Sequence, residues 1–275
     1  MKTGKLGSFT LALGIVIAAI LSLRLWLIPS VHKDVASSAA LIKNKAGAHH
    51  VPDFSAFADV SEKKQAFFDY LRPWVEQQNA IILEERRFIE SVLDHVQKGH
   101  SLSEAEQFRV QRIADKYQYA FRIIDEKSVT HLLKRVDIVP ESMVLIQAAN
   151  ETGWGSSRFA REGFNFFGQW CFTKGCGLVP LSRDSGLSHE VAVFKSVDAS
   201  VASYMRNLNS NAAYALFRSI RADLRAQSVE PNAEQLIYGL VNYSERQEAY
   251  IDELLDMLHH NEQYLVDTHA QDNAA

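Results

Sequence analysis

The residues best suited to chemistry lie at the end of an apolar helical segment. Residues 140–149 are almost wholly apolar and begin with proline, whose missing N–H needs no partner in the first turn of a helix. Glu151 falls on the last turn of this helix, close to Trp154. A carboxyl group that a buried helix and an indole desolvate tends to stay protonated near neutral pH. Such a group is the general acid that cleavage of a glycosidic bond needs, so Glu151 is the predicted catalytic acid.

Three motifs along the chain indicate one family. The sequence Glu-Thr-Gly-Trp-Gly occupies 151–155, Asn-Phe-Phe-Gly follows at 165–168, and a tyrosine-bearing segment covers 243–250. Together they resemble the glucosaminidase domain of peptidoglycan hydrolases (glycoside hydrolase family 73), in particular its Bax-type members, over about residues 60–262. The resemblance implies a mainly α, lysozyme-like α+β fold with a small β-hairpin lobe beside the active-site cleft.

The activity that this resemblance implies is hydrolysis of N-acetylglucosaminyl β-1,4 bonds in the peptidoglycan glycan strands of a bacterial cell wall. A muramidase or a lytic transglycosylase is the alternative on the same scaffold. A wall-binding or assembly protein that has kept the fold without turnover is an alternative of another class. No cofactor and no metal are expected.

A second catalytic group is predicted in the segment 188–196, which alternates as a short strand or hairpin does. Related enzymes place a second acidic residue on such a flap, which implies Glu190, and Asp184 in the preceding loop is the weaker choice. Alternation directs Glu190 away from the side of Val191, toward solvent or ligand. If no second carboxylate acts, the acetamido oxygen of the substrate attacks the anomeric carbon, and Tyr243 orients it by a hydrogen bond.

Four further residues are candidates for contact with the sugar, and each has a structural alternative. Trp154 either lines the cleft or shields Glu151 from water. Tyr250 either orients the substrate, as Tyr243 does, or packs its helix. The amide of Asn165 suits hydrogen bonds within its own turn at least as well as a sugar contact. The ring of Phe167 is better suited to the core than to a stacking platform.

The chain has two cysteines, Cys171 and Cys176. In an oxidising compartment a small disulfide loop is natural, and the glycine after Cys176 permits the turn. Four intervening residues argue against a redox motif, which needs two. A cysteine–histidine nucleophile pair with His189 is an alternative, whereas a metal site from these residues would lack the usual ligand spacing.

Composition and charge exclude several classes of protein. Aromatic residues make up 10% of the chain and charged residues 23%, which are globular values. The net charge is −4, and no cluster of lysine and arginine supplies the basic face that binding of nucleic acid requires. A chain of 275 residues can bury one substantial core, so a single catalytic domain is expected. The protein is also expected to be a monomer.

The N-terminal pattern predicts export. Two lysines precede the apolar run Phe9–Leu23, which Arg24 interrupts, and this order favours a cytoplasmic N-terminus with a periplasmic body. Counted through Arg24, the run is long enough for one transmembrane helix, so an uncleaved anchor in the cytoplasmic membrane is predicted at 1–30. A cleaved signal peptide, with small residues at 36–40, is the alternative.

The rest of the pattern divides into three parts that would carry and position the site. Residues 31–60 are polar and form a flexible linker, 61–265 form the glucosaminidase-like catalytic domain with an N-terminal helical part, and 266–275 form a disordered tail.

Within the catalytic domain, a helical run begins with Ser61 as its cap and ends at Gly99, and Pro73 should kink it or split it in two. Overlapping capping boxes at 101–104 and 103–106 begin the next helix. Further helices are predicted at 127–136, 140–151, 198–209, 213–227, 233–240 and 247–262.

Overall fold

The computed structural model of the chain describes residues 50–180 and 189–265. All of them belong to one structural unit, Ala48–Ala275. The predicted anchor at 1–30, most of the linker, Asp184 and the predicted tail lie outside these residues. In the part of the chain that is described, no helix combines the length and the apolarity that a membrane span requires.

The described residues are mainly helical, with one small sheet. The α-helices are α1 (Val60–Gln97), α2 (Glu104–Lys116), α3 (Glu126–Leu133), α4 (Glu141–Thr152), α5 (Arg158–Gly163), α6 (Val197–Ser210), α7 (Ala215–Ala226), α8 (Ala233–Ile237), α9 (Glu248–His260) and α10 (Glu262–Leu265). Short 3₁₀ helices cover Phe54–Ala56, Ala212–Tyr214 and Tyr238–Leu240, and the strands are β1 (Trp170–Cys171), β2 (Gly177–Leu178) and β3 (Glu190–Ala192).

Helix α1 runs unbroken through Pro73, so the predicted split is wrong. Leu71, Trp74 and Val75 around the proline are buried, and this packing offsets the hydrogen bond that proline removes. The helix also begins earlier than predicted, because the carboxylate of Asp59, and not Ser61, caps it.

Helix α4 lies in the core, as its apolar sequence predicts. Every residue from Met143 to Ala149 is buried, and the helix contacts α1, α8 and α9. A second apolar cluster joins the C-terminal half of α1 to α2 and α3. The predicted capping box between Ser103 and Glu106 begins α2.

The predicted strand near residue 190 is the centre of a three-stranded antiparallel sheet with the order β1-β3-β2. Trp170 pairs with Val191, and Gly177 pairs with Ala192. The neighbours of β3 therefore come from both sides of the cysteine loop, which the alternation of residues in β3 does not reveal. The fold class is confirmed: the domain is mainly α, with a small β lobe, as in lysozyme-like α+β folds.

Candidate active site

A cleft of about 610 Å³ lies beside the last turn of α4. The turn before β1 forms one part of its wall, and the loop before α9 forms another. Its lining combines a carboxyl group from α4 with aromatic rings, amides and one guanidinium, which are the groups that a sugar polymer would meet. The lining residues are Glu151, Phe167, Gly168, Gln169, Trp170, Asn207, Tyr214, Tyr243, Ser244, Glu245 and Arg246.

Glu151 is half-buried in this cleft, and burial raises the pKa of its carboxyl above the ordinary glutamate value of 4.5. The hydroxyl of Tyr250 donates to Oε1 of Glu151 at 2.9 Å, which lowers this pKa in part, as the charge of Arg246 also does. Glu253 acts in the other direction. Desolvation is the largest of these effects, so the carboxyl is held toward its protonated form.

Glu151 stands at the end of a buried chain of hydrogen bonds. Tyr204 donates to Oε1 of Gln147, and Nε2 of Gln147 donates to the hydroxyl of Tyr250 at 2.9 Å. Because the amide supplies a donor to Tyr250, the hydroxyl hydrogen of Tyr250 is directed at Glu151. Oε1 of Glu151 is thus an acceptor, so a protonated carboxyl would carry its hydrogen on Oε2.

Gly168 lies against this second oxygen. A Cβ atom at position 168 would stand 3.1 Å from Oε2 of Glu151, and the residue has a φ of +61°, in the left-handed region. Glycine therefore serves twice at this position, since it adopts the turn without strain and leaves Oε2 open toward the cleft. Among the described residues, no hydrogen bond occupies Oε2.

Asn165 holds the turn that places Gly168. Its side chain is buried and makes four hydrogen bonds with backbone groups: it donates to the carbonyls of Gln169 and Ala192 and accepts from the amides of Phe167 and Gln169. Two donors and two acceptor sites are the full capacity of an asparagine amide. The geometry therefore favours the structural alternative for Asn165 over a sugar contact.

The aromatic candidates surround the same turn. The ring of Phe167 is buried and stacks on Tyr204, with 4.0 Å between the ring centroids, so this side chain belongs to the core. Tyr243 donates its hydroxyl hydrogen to the carbonyl of Phe167 at 2.7 Å. Its ring stacks on that of Tyr250 at 5.6 Å. Tyr243 thus lines the cleft as predicted, but its hydroxyl hydrogen fastens the turn in this structure.

Trp154 lies apart from this cleft. It has a φ of +60° between two glycines that are also left-handed, and its ring packs against Phe67 and Phe68. The ammonium group of Lys64 lies 5.1 Å from the ring centroid. Trp154 lines another depression, of about 720 Å³, with residues of α9. Trp154 does not line the described part of the cleft that contains Glu151.

Glu190 is buried, so the prediction that its side chain faces solvent is wrong. The residue is 6% exposed, and its two carboxylate oxygens accept the backbone N–H groups of Gly175 and Gly177 at 3.0 and 2.8 Å. The physical reason is the cysteine loop, which passes the end of β3 and turns its amides toward the carboxylate. The catalytic role of Glu190 stays a prediction.

The predicted disulfide between Cys171 and Cys176 is present, with the two Cα atoms 6.2 Å apart. Neither cysteine is a free thiol, which excludes the cysteine–histidine nucleophile while the bond is intact. The two sulfur atoms and the carboxylate of Glu190 lie within 4.8 Å of one another. Bonded sulfur atoms offer no thiolate, however, so this group lacks the ligands that a metal ion would need.

Several functional groups were missed by reasoning from the sequence. Gln147, one turn before Glu151, carried a weak signal, because a polar residue within an apolar helix needs a buried partner. Trp170 and Glu245 line the cleft, but nothing in their local sequence marks them. Tyr204 reaches Gln147 across 57 residues of chain, a contact that no local pattern reveals.

A desolvated carboxyl group, placed in a cleft between a helical body and a small β lobe, is the arrangement that a glycosidase of lysozyme-like architecture would need. Comparison with known proteins agrees with this class. The family model of mannosyl-glycoprotein endo-β-N-acetylglucosaminidase, called Glucosaminidase, matches residues 126–263. The chain belongs to the glucosaminidase family.

One curated relative is Protein bax of Escherichia coli (strain K12). It is 34% identical to the chain over 233 residues, which cover 84% of this chain and 82% of that protein. The predicted resemblance to Bax-type glucosaminidase domains is thereby confirmed. No solved structure gives a significant match to the chain.

Proposed function

We propose that this protein hydrolyses N-acetylglucosaminyl β-1,4 bonds of bacterial peptidoglycan, with Glu151 as the general acid. Membership of the glucosaminidase family supports a glycosidase that acts on peptidoglycan. The observation that carries the assignment of the acid is the environment of Glu151: its pKa is raised by burial, and it lines the cleft. A carboxyl group that is still protonated near neutral pH can protonate the leaving oxygen.

In this mechanism the proton leaves from Oε2 of Glu151, the oxygen beside Gly168. Tyr250 continues to donate to Oε1 and stabilises the carboxylate that forms. Gln147 keeps the hydroxyl of Tyr250 in that orientation. Arg246, at the cleft wall, adds a positive charge that lowers the pKa of Glu151 and so favours release of the proton.

Glu190 stays the predicted second group, but its two carboxylate oxygens bind backbone amides of its own lobe, which favours another group for this role. Besides Glu151, the carboxylate that lines the described part of the cleft is Glu245. Either Glu245 activates water or the acetamido group of the substrate attacks the anomeric carbon. A large loss of turnover in Glu245→Gln supports the first route, and an unchanged rate supports the second.

Digestion of purified peptidoglycan by the wild-type protein and by Glu151→Gln tests the proposal. We expect new reducing-end N-acetylglucosamine by mass spectrometry, and a rate about 10²–10⁴-fold lower for the variant, because an amide cannot deliver a proton. Glu104→Gln, an exposed change in the first turn of α2, is the control and should be fully active.

Other products decide between the alternatives. Reducing-end N-acetylmuramic acid would indicate a muramidase, and 1,6-anhydro ends would indicate a lytic transglycosylase. Wild-type protein that binds peptidoglycan without cleaving it would indicate a wall-binding protein. Cleavage by Glu151→Gln at the wild-type rate would refute the assigned acid.

We also propose that the catalytic domain works outside the cytoplasmic membrane as a monomer, tethered by residues 1–30. The N-terminal sequence supports this placement, because lysines precede its apolar run. An alkaline phosphatase reporter fused after Ala58 should be active, and a cytoplasmic reporter at the same position should be active only if export is absent. A mature N-terminus near Ala39 would show a cleaved signal peptide in place of the anchor.

A further inference from the structure

We propose that Trp170, supported by His189, is a platform that binds a pyranose ring of the glycan strand at the edge of the cleft. The site would take an N-acetylamino sugar next to the bond that is cleaved, and not the reacting sugar itself. This inference rests on the proposed function, because it assigns a subsite to the same cleft.

Trp170 is exposed and lies on the wall of the cleft. The residue is 55% exposed, which is unusual for a tryptophan, and it lines the same cleft as Glu151. An exposed indole on the wall of a cleft is a surface that a ligand can cover, with a gain from removing apolar area from water. Trp170 thus offers apolar area that the described part of the chain leaves uncovered.

A stacked imidazole holds the indole of Trp170. The imidazole of His189 stacks on one of its faces, with 4.3 Å between ring centroids and 12° between the planes. Such a stack fixes the orientation of the indole, and a ligand would use the opposite face. A side chain that is already ordered loses little conformational entropy on binding.

The β lobe gives this stack a firm base. The backbone of Trp170 pairs with Val191 in the sheet, and the next residue, Cys171, is fixed by its disulfide to Cys176. Glu190, next to His189, binds the backbone amides of the cysteine loop. The buried carboxylate and the disulfide therefore both hold Trp170 at the edge of the cleft.

The chemistry of the ligand follows from the shape of this surface. In a β-1,4-linked N-acetylglucosaminyl ring the substituents are equatorial, so each face of the ring presents axial C–H groups. That apolar face matches an indole, while the equatorial hydroxyl and acetamido groups extend sideways to polar partners. Asn207, Glu245 and Arg246 line the same cleft and supply amide, carboxylate and guanidinium groups.

Phe172 provides a matched control in the same loop. It is 73% exposed, more than Trp170, but it is not among the residues that line the cleft. If exposed aromatic area alone promoted adhesion to the glycan, removing either ring would weaken binding. If the platform is specific, only Trp170 matters.

The experiment measures affinity by calorimetry in the Glu151→Gln background, with β-1,4-linked N-acetylglucosamine hexamer as the probe. Adding Trp170→Ala should weaken binding at least tenfold, which is about 1.4 kcal/mol. Trp170→Phe should lose less, because it keeps a smaller aromatic face, and Phe172→Ala should bind as the parent does. An affinity within twofold of the parent for Trp170→Ala, at an unchanged melting temperature, would overturn the proposal.

The same variants in the active protein separate this inference from the proposed function. Trp170→Ala should raise KM for peptidoglycan far more than it lowers kcat, because the platform contacts a sugar away from the reacting bond. If cleavage depends on Glu151 while Trp170→Ala is neutral in both assays, the platform fails and the function stands. If the wild-type protein cleaves nothing but the hexamer still binds through Trp170, the function fails and the platform stands.

Discussion

The helical wall of the cleft and the β lobe each contain a glutamate whose carboxyl is largely removed from water, but the two carboxyl groups differ in their hydrogen bonds. In the helical wall, one oxygen of Glu151 accepts the hydroxyl of Tyr250, and the other lies beside Gly168. In the β lobe, both oxygens of Glu190 accept backbone amides. Burial alone therefore does not make a carboxyl group reactive. What distinguishes Glu151 is an oxygen that the fold leaves open to the cleft.

After replacement of Glu151 itself, the largest effect should come from closing that open oxygen. In Gly168→Ala the new Cβ would stand 3.1 Å from Oε2 of Glu151, so the carboxyl or the turn must move. A displacement of about 1 Å at a reacting group can cost about 10²-fold, and we expect a loss of kcat of this order. The measurement is the rate of release of reducing ends from peptidoglycan.

Gly99→Ala is the matched control for the backbone. Gly99 has a similar φ, +71°, but a Cβ there would meet nothing within 4 Å. Both alanine variants should lose about 1–2 kcal/mol of stability through left-handed strain, while only Gly168→Ala loses activity. Equal activity of the two variants would contradict the open-oxygen account of Glu151.

For Glu190→Gln we expect an intermediate effect, which lowers stability and leaves turnover nearly unchanged. The amide can replace one acceptor, but its NH₂ group then faces the N–H of a glycine. We expect the free energy of unfolding to fall by about 1.5–3 kcal/mol, as for hydrogen bonds to a charged group. Chemical denaturation measures it, and the activity of the folded variant should stay within about threefold of wild type, under about 1 kcal/mol. A strong loss of turnover at unchanged stability would instead make Glu190 the second catalytic group.

The smallest effect concerns the pH dependence of stability. The pKa of Glu151 is raised above 4.5 in the folded state. At pH values between 4.5 and this raised pKa, the folded protein therefore binds more protons than the unfolded chain. Stability from this group is fully present below 4.5 and is lost as the pH rises through the folded pKa. Glu151→Gln does not titrate, so its melting temperature should match wild type at low pH and exceed it at neutral pH. A difference in melting temperature between the two proteins that shrinks as the pH rises would contradict the raised pKa of Glu151.

Local patterns predicted those features that depend on neighbouring residues. The apolar run before Glu151 predicted a buried helix, and the capping box between Ser103 and Glu106 predicted the start of α2, because both signals lie within a few residues. The split at Pro73 was wrongly predicted, because the cost of the proline is offset by the burial of the residues around it. Helix propensity alone does not contain that information.

The candidate site was predicted in part for the same reason. Strand alternation assigned Glu190 to the open side of β3. The rule that alternate residues face solvent applies only where the rest of the domain covers one face of the sheet and leaves the other open. Here the cysteine loop encloses the end of the strand. The link from Gln147 to Tyr250 spans 103 residues, and the edge of the cleft at Trp170 exists only once the β lobe is in place.

The measurement that most directly tests the central claim is titration of the Glu151 carboxyl itself. The Cδ resonance of Glu151 can be followed by carbon NMR in protein labelled at glutamate, and identified by its absence in Glu151→Gln. We predict a pKa above the ordinary 4.5, and a basic limb of kcat/KM for peptidoglycan that coincides with it. A carboxyl that titrates at or below 4.5, with activity unaffected by its ionisation, would contradict the account of Glu151 as a desolvated general acid.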